Sequence, residues 1–290
     1  MKRFSILLLS LLSIMGFAQK TTYKVNNPAE LNVMTFNIRL DSEKDGLNNW
    51  KYRKNMVANT ITYYQADIVG TQEVLHNQLL DLEAMLSDYT SIGVGRTDGM
   101  EKGEYSAIFY NHKKLTETGS GYFWLSESPL KIGEKGWDAA CERIATWAKL
   151  KDNQTGKIFF VLNTHFDHIG KKARLESAKL IIDKVKLYSK KLPVIVTGDF
   201  NSTPQSEVIK ILIDISNPLH LTDSRTVSPT VEGPDWTFHD FGRTPLKDRE
   251  LIDYIFVKNN VNVLTYKVID EKVDDTFISD HNPVLVQVQF

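Results

Sequence analysis

The chain has 290 residues, of which 42% are hydrophobic and 24% are charged. Its 35 basic and 36 acidic residues leave a formal net charge of −1. This balance argues against a protein that binds nucleic acid through a general excess of Lys and Arg. Cys141 is the only cysteine, so the chain has no internal disulfide and must rely on a packed core. We expect its thiol to be a half-buried filler rather than a nucleophile.

Residues 1–18 predict a secretory signal peptide. Lys2 and Arg3 form a short basic start, and almost every following residue is apolar. Gly16 and Ala18 give the small-x-small pattern that precedes a cleavage site. The apolar stretch is short for a membrane span, and an uncleaved N-terminal anchor is the alternative.

The predicted mature chain therefore covers residues 19–290. It carries 33 basic and 36 acidic residues, because the signal peptide removes two cations and no acid. We find no repeat, low-complexity tract or Pro-rich linker, and this favours a single domain. We expect an exported protein, periplasmic or extracellular, without stable membrane insertion or an obligate protein partner.

Hydrophobic periodicity predicts a mixture of strands and helices. Residues 31–38 are a strand with Leu31, Val33, Thr35 and Asn37 on one face. The other predicted strands are 67–71, 105–110, 143–150, 157–165, 192–197, 251–257, 262–269 and 284–290, with Gly/Ser-rich turns between the middle ones. The predicted helices are 50–65, 75–86, 171–189 and 205–214, and the region 216–250 is irregular.

The apolar pattern of the strands indicates the fold class. Strands 158–162, 192–197 and 251–257 are apolar on both faces, so both faces should be covered. Paired strands with few helices favour an α/β sandwich in which two sheets pack face to face with helices outside. A doubly wound parallel sheet is the alternative, although helices do not alternate regularly with strands.

Polar clusters recur at the ends of predicted strands. They are Asn37, Gln72-Glu73, Asn163-Thr164-His165, Asp199-Phe200-Asn201 and Ser279-Asp280-His281. Each alone has an ordinary explanation, such as a turn preference of Asp and Asn or an acid near a helix start. Carboxylates, amides and imidazoles at several strand ends are together what a hydrolytic metal site needs.

Asp253 is the most informative single residue. It shares a strand face with Leu251, Ile255 and Val257, where an unpaired carboxylate would be costly. One explanation is a buried salt bridge or a hydrogen bond to a loop. The functional explanation is a carboxylate that holds a histidine in one tautomer, with His281 as its natural partner.

The ordered set of motifs resembles the endonuclease/exonuclease/phosphatase superfamily, and the aromatic-rich segment from Phe123 to Trp147 is similar to one in a secreted bacterial branch of it. The motifs are Met34-Thr35-Phe36-Asn37, Gln72-Glu73, Tyr105 to Tyr110, Asn163-Thr164-His165, Gly198-Asp199-Phe200-Asn201, Ile252-Asp253-Tyr254-Ile255 and Ser279-Asp280-His281. The resemblance implies a four-layer α-β-β-α sandwich with two mixed sheets. It also implies Mg²⁺- or Mn²⁺-dependent hydrolysis of a phosphate ester by in-line attack, without a covalent intermediate.

The resemblance also implies a role for each site residue. Glu73 would be the principal metal ligand, supported by Asn37 and Asp280. Asp199 would orient or deprotonate the attacking water, and Asn201 and His165 would hold the phosphoryl oxygens. His281, oriented by Asp253, would act as acid, base or charge stabiliser, which are three roles that the sequence leaves open.

Substrate contacts are expected from Arg143, His168, Tyr105 and Trp236. The planar fork of Arg143 suits a phosphate, although a surface ion pair with a neighbouring acid is the alternative. Trp50, Trp124 and Trp236 are candidates for stacking a base or sugar ring, and core packing is the alternative for each.

The sequence leaves three functions open. The first is a phosphodiesterase or phosphatase that acts on a small or lipid-linked organophosphate outside the cytoplasm. The second is a secreted metal-dependent nuclease that cleaves DNA or RNA. The third is a non-catalytic binding module, which the intact set of carboxylates and imidazoles disfavours.

Overall fold

The computed structural model describes residues 29–273 and 276–290. The predicted signal peptide lies outside the described residues. Within them, no helix has the length and apolar composition needed to cross a membrane.

Strands outnumber helices in the described part of the chain. The strands are β1 (Glu30–Asn37), β2 (Ile68–Gln72), β3 (Tyr89–Ile92), β4 (Ile108–Asn111), β5 (Leu115–Trp124), β6 (Ile144–Asp152), β7 (Ile158–His165), β8 (Val194–Asp199), β9 (Thr222–Asp223), β10 (Val231–Glu232), β11 (Asp253–Lys258), β12 (Asn262–Val268), β13 (Lys272–Val273), β14 (Thr276–Phe277) and β15 (Val284–Gln289). The helices are α1 (Trp50–Tyr63), α2 (His76–Met85), α3 (Lys171–Ser189), α4 (Glu207–Ile213) and α5 (Ser224–Val227). Short 3-10 turns cover Glu43–Asn48, Asp240–Gly242 and Leu246–Asp248.

Two large mixed sheets form the centre of the fold. The first has seven strands in the order β10-β12-β15-β1-β2-β4-β3, and the second has six in the order β5-β6-β7-β8-β11-β9. β1 and β2 are parallel, as are β7 and β8, whereas most other neighbours are antiparallel. The alternative of one doubly wound parallel sheet is therefore wrong.

The alternation predicted for β1 explains how the first sheet is covered. Leu31 and Val33 belong to the core that also contains Ile195 of the second sheet. Met34 and Phe36 point the other way, into a separate cluster formed with the apolar faces of α1 and α2. One face of the sheet therefore packs on the second sheet and the other face on helices, as the sequence predicts.

Helix α3 covers the outer face of the second sheet. Its Tyr188 stacks on Trp147 of β6, with ring centroids 4.8 Å apart. Its apolar stripe, which includes Ile181, belongs to the same core as Phe160 of β7 and Val196 of β8. Together with the helices on the first sheet, this gives the expected four layers.

Buried polar groups join the two sheets close to the site. Gln72 Nε2 at the end of β2 donates to Asn163 Oδ1 of β7 at 2.7 Å. The amide nitrogen of Asn163 in turn donates to two backbone carbonyls of the first sheet, at 2.8 and 2.9 Å. Gly70 faces this bond, and a Cβ there would collide with Thr197 and Asn163. The sheets can approach so closely only because residue 70 has no side chain.

One large element contradicts the sequence prediction. The segment expected to be a Gly/Ser-rich turn contains the ten-residue strand β5, which pairs with β6 at the edge of the second sheet. Its outward residues are polar, and Gly121 lies where a Cβ would press on the Trp147 ring at 2.9 Å. Composition indicated a turn, but tertiary packing selects glycine here.

Candidate active site

Three site residues predicted from the sequence meet where β8 and β11 pair. Asp253 begins β11 directly opposite Asp199, which ends β8. His281 precedes β15, and its Nδ1 lies 2.9 Å from Asp253 Oδ2. His281 Nε2 lies 3.8 Å from Asp199 Oδ2. All three side chains are buried, so the histidine is held between two carboxyl groups in a water-poor environment.

Burial and neighbouring charges set the protonation of this group. Burial lowers the pKa of His281, but Asp253 and the other nearby carboxylates outweigh this effect and raise it to about 10. Burial raises the pKa of Asp199, and the charge of Asp253 adds to the effect, bringing it to about 7. His281 is therefore an imidazolium at neutral pH, and Asp199 is placed to gain or lose a proton there.

Asn37 and Glu73 bring the first sheet to the same place. β1 and β2 end side by side, with Asn37 opposite Gln72. Asn37 Nδ2 lies 3.1 Å from Glu73 Oε1 and 3.0 Å from Asp199 Oδ2. Glu73 adopts a positive φ of 61°, which turns its side chain back toward β1, where the backbone N–H of Leu40 also donates to it. The strand ends of both sheets therefore contribute to one site.

Asp280 and Arg39 complete the acidic side of the site. Burial raises the pKa of Asp280 to about 6, and the charge of Glu73 acts in the same direction. Arg39 lies 3.7 Å from Glu73 Oε2 and 3.7 Å from Asp280 Oδ2, and Asp45 holds its guanidinium with two hydrogen bonds. The two carboxylates share one cation that neither contacts closely.

Asn201 and His165 form the opposite side. Asn201 Nδ2 lies 3.0 Å from His165 Nε2, and its backbone N–H donates to Asp199 Oδ1 at 2.9 Å. Burial lowers the pKa of His165 well below its usual value, and the guanidinium groups of Arg143 and Arg96 lower it further. His165 is therefore neutral, in contrast to His281.

The charge distribution fits a divalent cation. Five carboxylates interact here with three cations: Asp45, Glu73, Asp199, Asp253 and Asp280 against Arg39, Arg53 and His281. With every carboxylate ionised, the group has a negative surplus of two, and this surplus is consistent with the raised pKa of Asp199 and of Asp280. Hard oxygen ligands are those that Mg²⁺ and Mn²⁺ prefer.

The orientation of each donor limits its role as a ligand. Ligand atoms of Asp199, Asp253 and His281 all lie within 4.8 Å of one another, which is compatible with a metal. His281 Nδ1, however, is already bonded to Asp253. Asn37 directs its amide nitrogen at the carboxylates, and its Oδ1 accepts the N–H of Arg39 at 3.0 Å. Asn37 could bind a metal only through Oδ1, either in the present orientation or after a flip of the amide that turns Oδ1 toward the carboxylates.

The site opens into a cavity of about 920 Å³. Its lining contains most of the predicted site residues: Glu73, Arg143, His165, His168, Asp199, Asn201, Asp280 and His281. Arg143 is 4% exposed and bonds His168 Nδ1 through Nη2 at 2.9 Å. The alternative of a surface ion pair for Arg143 finds no support among the described residues, because its carboxylate neighbour is the buried Asp167 at 3.6 Å.

Tyr105 and Trp236, which we expected to contact substrate, do not line this cavity. The Tyr105 hydroxyl is bonded to the Met100 carbonyl at 2.9 Å and to His76. Trp236 lies under the Arg249 guanidinium, 4.3 Å from the ring centroid. The expected contacts of both residues lack support from the geometry.

Trp50 and Trp124 pack in the core rather than around a ligand. The indole of Trp50 belongs to the cluster under α1 and α2, and its N–H donates to Asp81. Trp124 is 1% exposed, and its N–H donates to the Arg96 carbonyl. The packing alternative holds for both residues.

Sequence reasoning missed several cavity residues, among them Arg39 and Phe238. Arg39 follows the first motif by two positions, and its positive φ of 59° turns its side chain toward the site. Phe238 contacts the His281 ring at a centroid distance of 5.0 Å and pairs with it through a backbone bridge. The motif that ends at Asn37 could have indicated Arg39, which lies two residues later. The irregular region around Phe238 has no periodic pattern that could have indicated Phe238.

This fold and this arrangement of strand-end residues define a class of metal-assisted phosphoester hydrolases. Residues 34–281 match the Endonuclease/Exonuclease/phosphatase family, and the chain belongs to it. Members of this family are phosphoester hydrolases that depend on divalent metals.

Two solved structures and one curated relative illustrate the range of similar proteins. An endonuclease/exonuclease/phosphatase from Bacteroides vulgatus is 48% identical, with a TM-score of 0.87 over 90% of this chain and 98% of the other. The mannosyl-6-phosphatase Bt3783 of Bacteroides thetaiotaomicron is 38% identical, with a TM-score of 0.84 over 90% of this chain and 100% of the other. The RNA exonuclease NGL1 of Saccharomyces cerevisiae is 26% identical over 211 residues, which are 61% of this chain and 56% of the relative.

Proposed function

We propose that this protein is a Mg²⁺- or Mn²⁺-dependent phosphoester hydrolase that acts on an organophosphate outside the cytoplasm. The observation that carries the proposal is the shared amide of Asn37, which lies 3.1 Å from Glu73 and 3.0 Å from Asp199. A candidate metal ligand and a candidate base therefore face one small volume at the floor of the cavity. In-line hydrolysis needs this proximity, because the cation and the attacking water act on the same phosphorus.

Glu73, Asp280 and the Oδ1 of Asn37 are the groups that would hold the cation. When bound, it supplies polarisation of the phosphoryl group and compensation of its growing negative charge. Arg39 contributes fixed positive charge beside the same carboxylates.

Asp199 is proposed to accept a proton from the attacking water, which its buried carboxyl can do near neutral pH. Without metal, the neighbouring carboxylates raise the pKa of His281 to about 10, which favours a role as an acid or charge stabiliser over a role as a base. Asp253 holds the imidazolium in place through Nδ1. Asn201 and His165 would contact the phosphoryl oxygens. The side-chain N–H that Asn201 directs at His165 would then donate to a phosphoryl oxygen.

A small organophosphate is the preferred substrate class. The cavity is large enough for a sugar-sized group attached to the phosphate. The similar mannosyl-6-phosphatase supports a sugar phosphate or a comparable polar ester. Phosphorylated lipid head groups belong to the same substrate class. The sequence of residues 1–18 supports action in the periplasm or outside the cell.

A secreted nuclease is the second candidate. The similarity to an RNA exonuclease favours it, as do the cationic residues of the cavity. The balanced overall charge argues for a local rather than an extended contact with a nucleic acid backbone.

The direct test is hydrolysis by residues 19–290 with Mg²⁺ or Mn²⁺ against a mixed panel. The panel contains aryl phosphate mono- and diesters, mannose 6-phosphate, inositol phosphates, sphingomyelin, RNA, and single- and double-stranded DNA. We expect metal-dependent turnover of a small ester, and a loss of roughly 10²-fold or more in Asp199→Asn, which keeps the shape of the side chain.

Two results would overturn the proposal. One is activity that survives chelation of divalent metal, and the other is unchanged turnover in folded Asp199→Asn. Turnover confined to RNA or DNA, with a steep loss between low and physiological salt, would select the nuclease.

A further inference from the structure

Arg143 is a buried cation with unmet hydrogen-bonding capacity on the cavity wall. The residue is 4% exposed, and its Nε and Nη1 atoms have no hydrogen-bond partner among the described residues. Its Nη2 bonds His168, and its Nε lies 3.6 Å from Asp167, beyond hydrogen-bond distance. Burying guanidinium N–H groups without acceptors is costly, so this geometry favours an acceptor that arrives with a ligand.

The register of the sheet places Arg143 beside the reacting centre. Arg143 immediately precedes β6, which runs antiparallel to β7 and starts where β7 ends, with Ala145 opposite Thr164. The next residue of β7 is His165, whose Nε2 lies 3.5 Å from Asp199 Oδ2. The positive charge of Arg143 lowers the pKa of His165, which agrees with this proximity.

Further cations share this wall. Arg96, Lys171 and Arg174 line the cavity together with Arg143. Arg96 makes a bidentate pair with Glu104, at 2.6 and 2.7 Å. Among the described residues, two carboxylates pair with these four cations, so the wall keeps an excess of positive charge. It is therefore suited to an anion with more than one negative charge.

We propose that Arg143 recognises the terminal, dianionic phosphoryl group of a phosphate monoester and thereby selects monoesters over diesters. The inference rests on the proposed function and specifies its substrate. A monoester offers three non-bridging oxygens, of which two can be bound by the cation and by Asn201, and the third meets the Arg143 fork. In a diester that third oxygen carries carbon, which leaves the buried N–H groups of Arg143 unpaired. Sites built to hydrogen-bond a polar group discriminate strongly against analogues that lack it.

The test measures binding rather than turnover. Calorimetry with Mg²⁺ compares phenyl phosphate with methyl phenyl phosphate, in Asp199→Asn protein so that neither is consumed. We expect the monoester to bind at least about 10-fold more tightly, because it adds charge-assisted hydrogen bonds. Adding Arg143→Gln should remove this preference by weakening only the monoester. Arg143→Lys keeps the charge but loses the fork, so it should restore part of the preference.

Arg225→Gln is the matched control, because it removes a guanidinium from α5, outside the cavity. It should leave the preference intact. If Arg143→Gln proves unstable by thermal melting, His168→Ala removes the acceptor that orients Nη2. The guanidinium fork then loses its fixed orientation, so the preference should fall without removal of a buried cation.

Equal affinities for the two esters, or a preference that survives in Arg143→Gln, would overturn the inference. The proposed function is judged separately by hydrolysis in protein with an intact Asp199. A protein that binds the monoester through Arg143 but hydrolyses no ester would retain the anion site and lose the enzymatic proposal.

Discussion

The amide nitrogen of Asn37 lies 3.0 Å from Asp199 Oδ2, although the two residues are 162 positions apart and belong to different sheets. The same nitrogen lies 3.1 Å from Glu73. Asn37 therefore ties the acidic end of the first sheet to the carboxylate of the second, and the two sheets must be docked before this contact can exist.

Replacing Asn37 with Asp should be more damaging to catalysis than replacing it with Ala. A third carboxylate would face Glu73 and Asp199 and raise the pKa of both by like-charge repulsion. We expect kcat/KM to fall by roughly 10²-fold or more in Asn37→Asp at neutral pH, with partial recovery at higher pH. Ala removes the hydrogen bonds without adding charge, and its pH profile should keep the wild-type shape. Identical pH profiles for the two variants would contradict this account.

Binding of Mg²⁺ should release protons in weakly acidic solution. Without metal, the pKa of Asp199 is raised to about 7 and that of Asp280 to about 6, so both are partly protonated near pH 6. A cation favours the ionised carboxylates, and release should vanish above about pH 8.5, where both are already ionised. Calorimetry in buffers of different ionisation enthalpy measures the number of protons released per Mg²⁺ bound. Asp199→Asn should release fewer protons than the wild type, and pH-independent release would refute the assignment.

Asp253→Asn should lower the pKa of His281. The folded-state pKa of about 10 exceeds the ordinary 6.5, so the charged histidine stabilises the fold below pH 6.5, and this stabilisation is lost as the pH rises through 10. The variant should therefore lose most stability, relative to wild type, in weak acid, and the difference should shrink toward pH 10. NMR titration of the His281 ring and urea unfolding at several pH values provide the measurements. A stability difference that widens as the pH rises would contradict the predicted direction of the pH dependence.

His239 should contribute to destabilisation of the fold in acid. Burial lowers its pKa to about 3, and the charge of His281 acts in the same direction. Because the unfolded state binds a proton near pH 6.5 and the folded state does not, stability falls as the pH drops from 6.5 toward 3. His239→Gln should flatten this slope by roughly 1–3 kcal/mol across the window. The comparison is made on slopes, since the lost contact with Phe277 lowers stability at every pH.

Gly70→Ala should separate the sheets locally. The added Cβ would meet Thr197 Oγ1 and Asn163 Oδ1, both of which are buried and bonded to each other. Overpacking of this kind costs about 1–3 kcal/mol, and the shift should also reduce activity because the site spans both sheets. Adding Thr197→Ala removes one of the colliding atoms and should restore part of the stability in denaturant unfolding. Full wild-type stability in Gly70→Ala would contradict the close approach.

Much of the site could be predicted because its residues end strands. The alternation that placed Asn37 on one face with Leu31 and Val33 also set which sheet it would face. The apolar neighbours of Asp253 required a partner for its carboxylate, and the structure supplies His281 at 2.9 Å. A polar residue that interrupts a strong apolar pattern needs a partner for its polar group, so the pattern identifies it as a candidate site residue.

The remaining features depend on contacts between distant segments. The composition of β5 indicates a turn, but its Gly121 accommodates Trp147, a neighbour that local composition cannot show. Phe238 reaches the His281 ring from an irregular region, whereas the nearby Trp236, chosen for its size, turns away under Arg249. Aromatic identity alone does not determine which side of a loop faces a cavity.

The hydrogen bonds that Asn163 makes with Gln72 and with the backbone of the first sheet bear on how substrate range can change in evolution. They fix the two sheets relative to each other beneath the reacting centre, and they involve none of the loops that bear Arg96, His168 or Phe238. Insertions or substitutions in those loops can alter which ester is accepted while the reacting centre stays in register. Residues in those loops can therefore be exchanged one at a time without disturbing the contact between the two sheets.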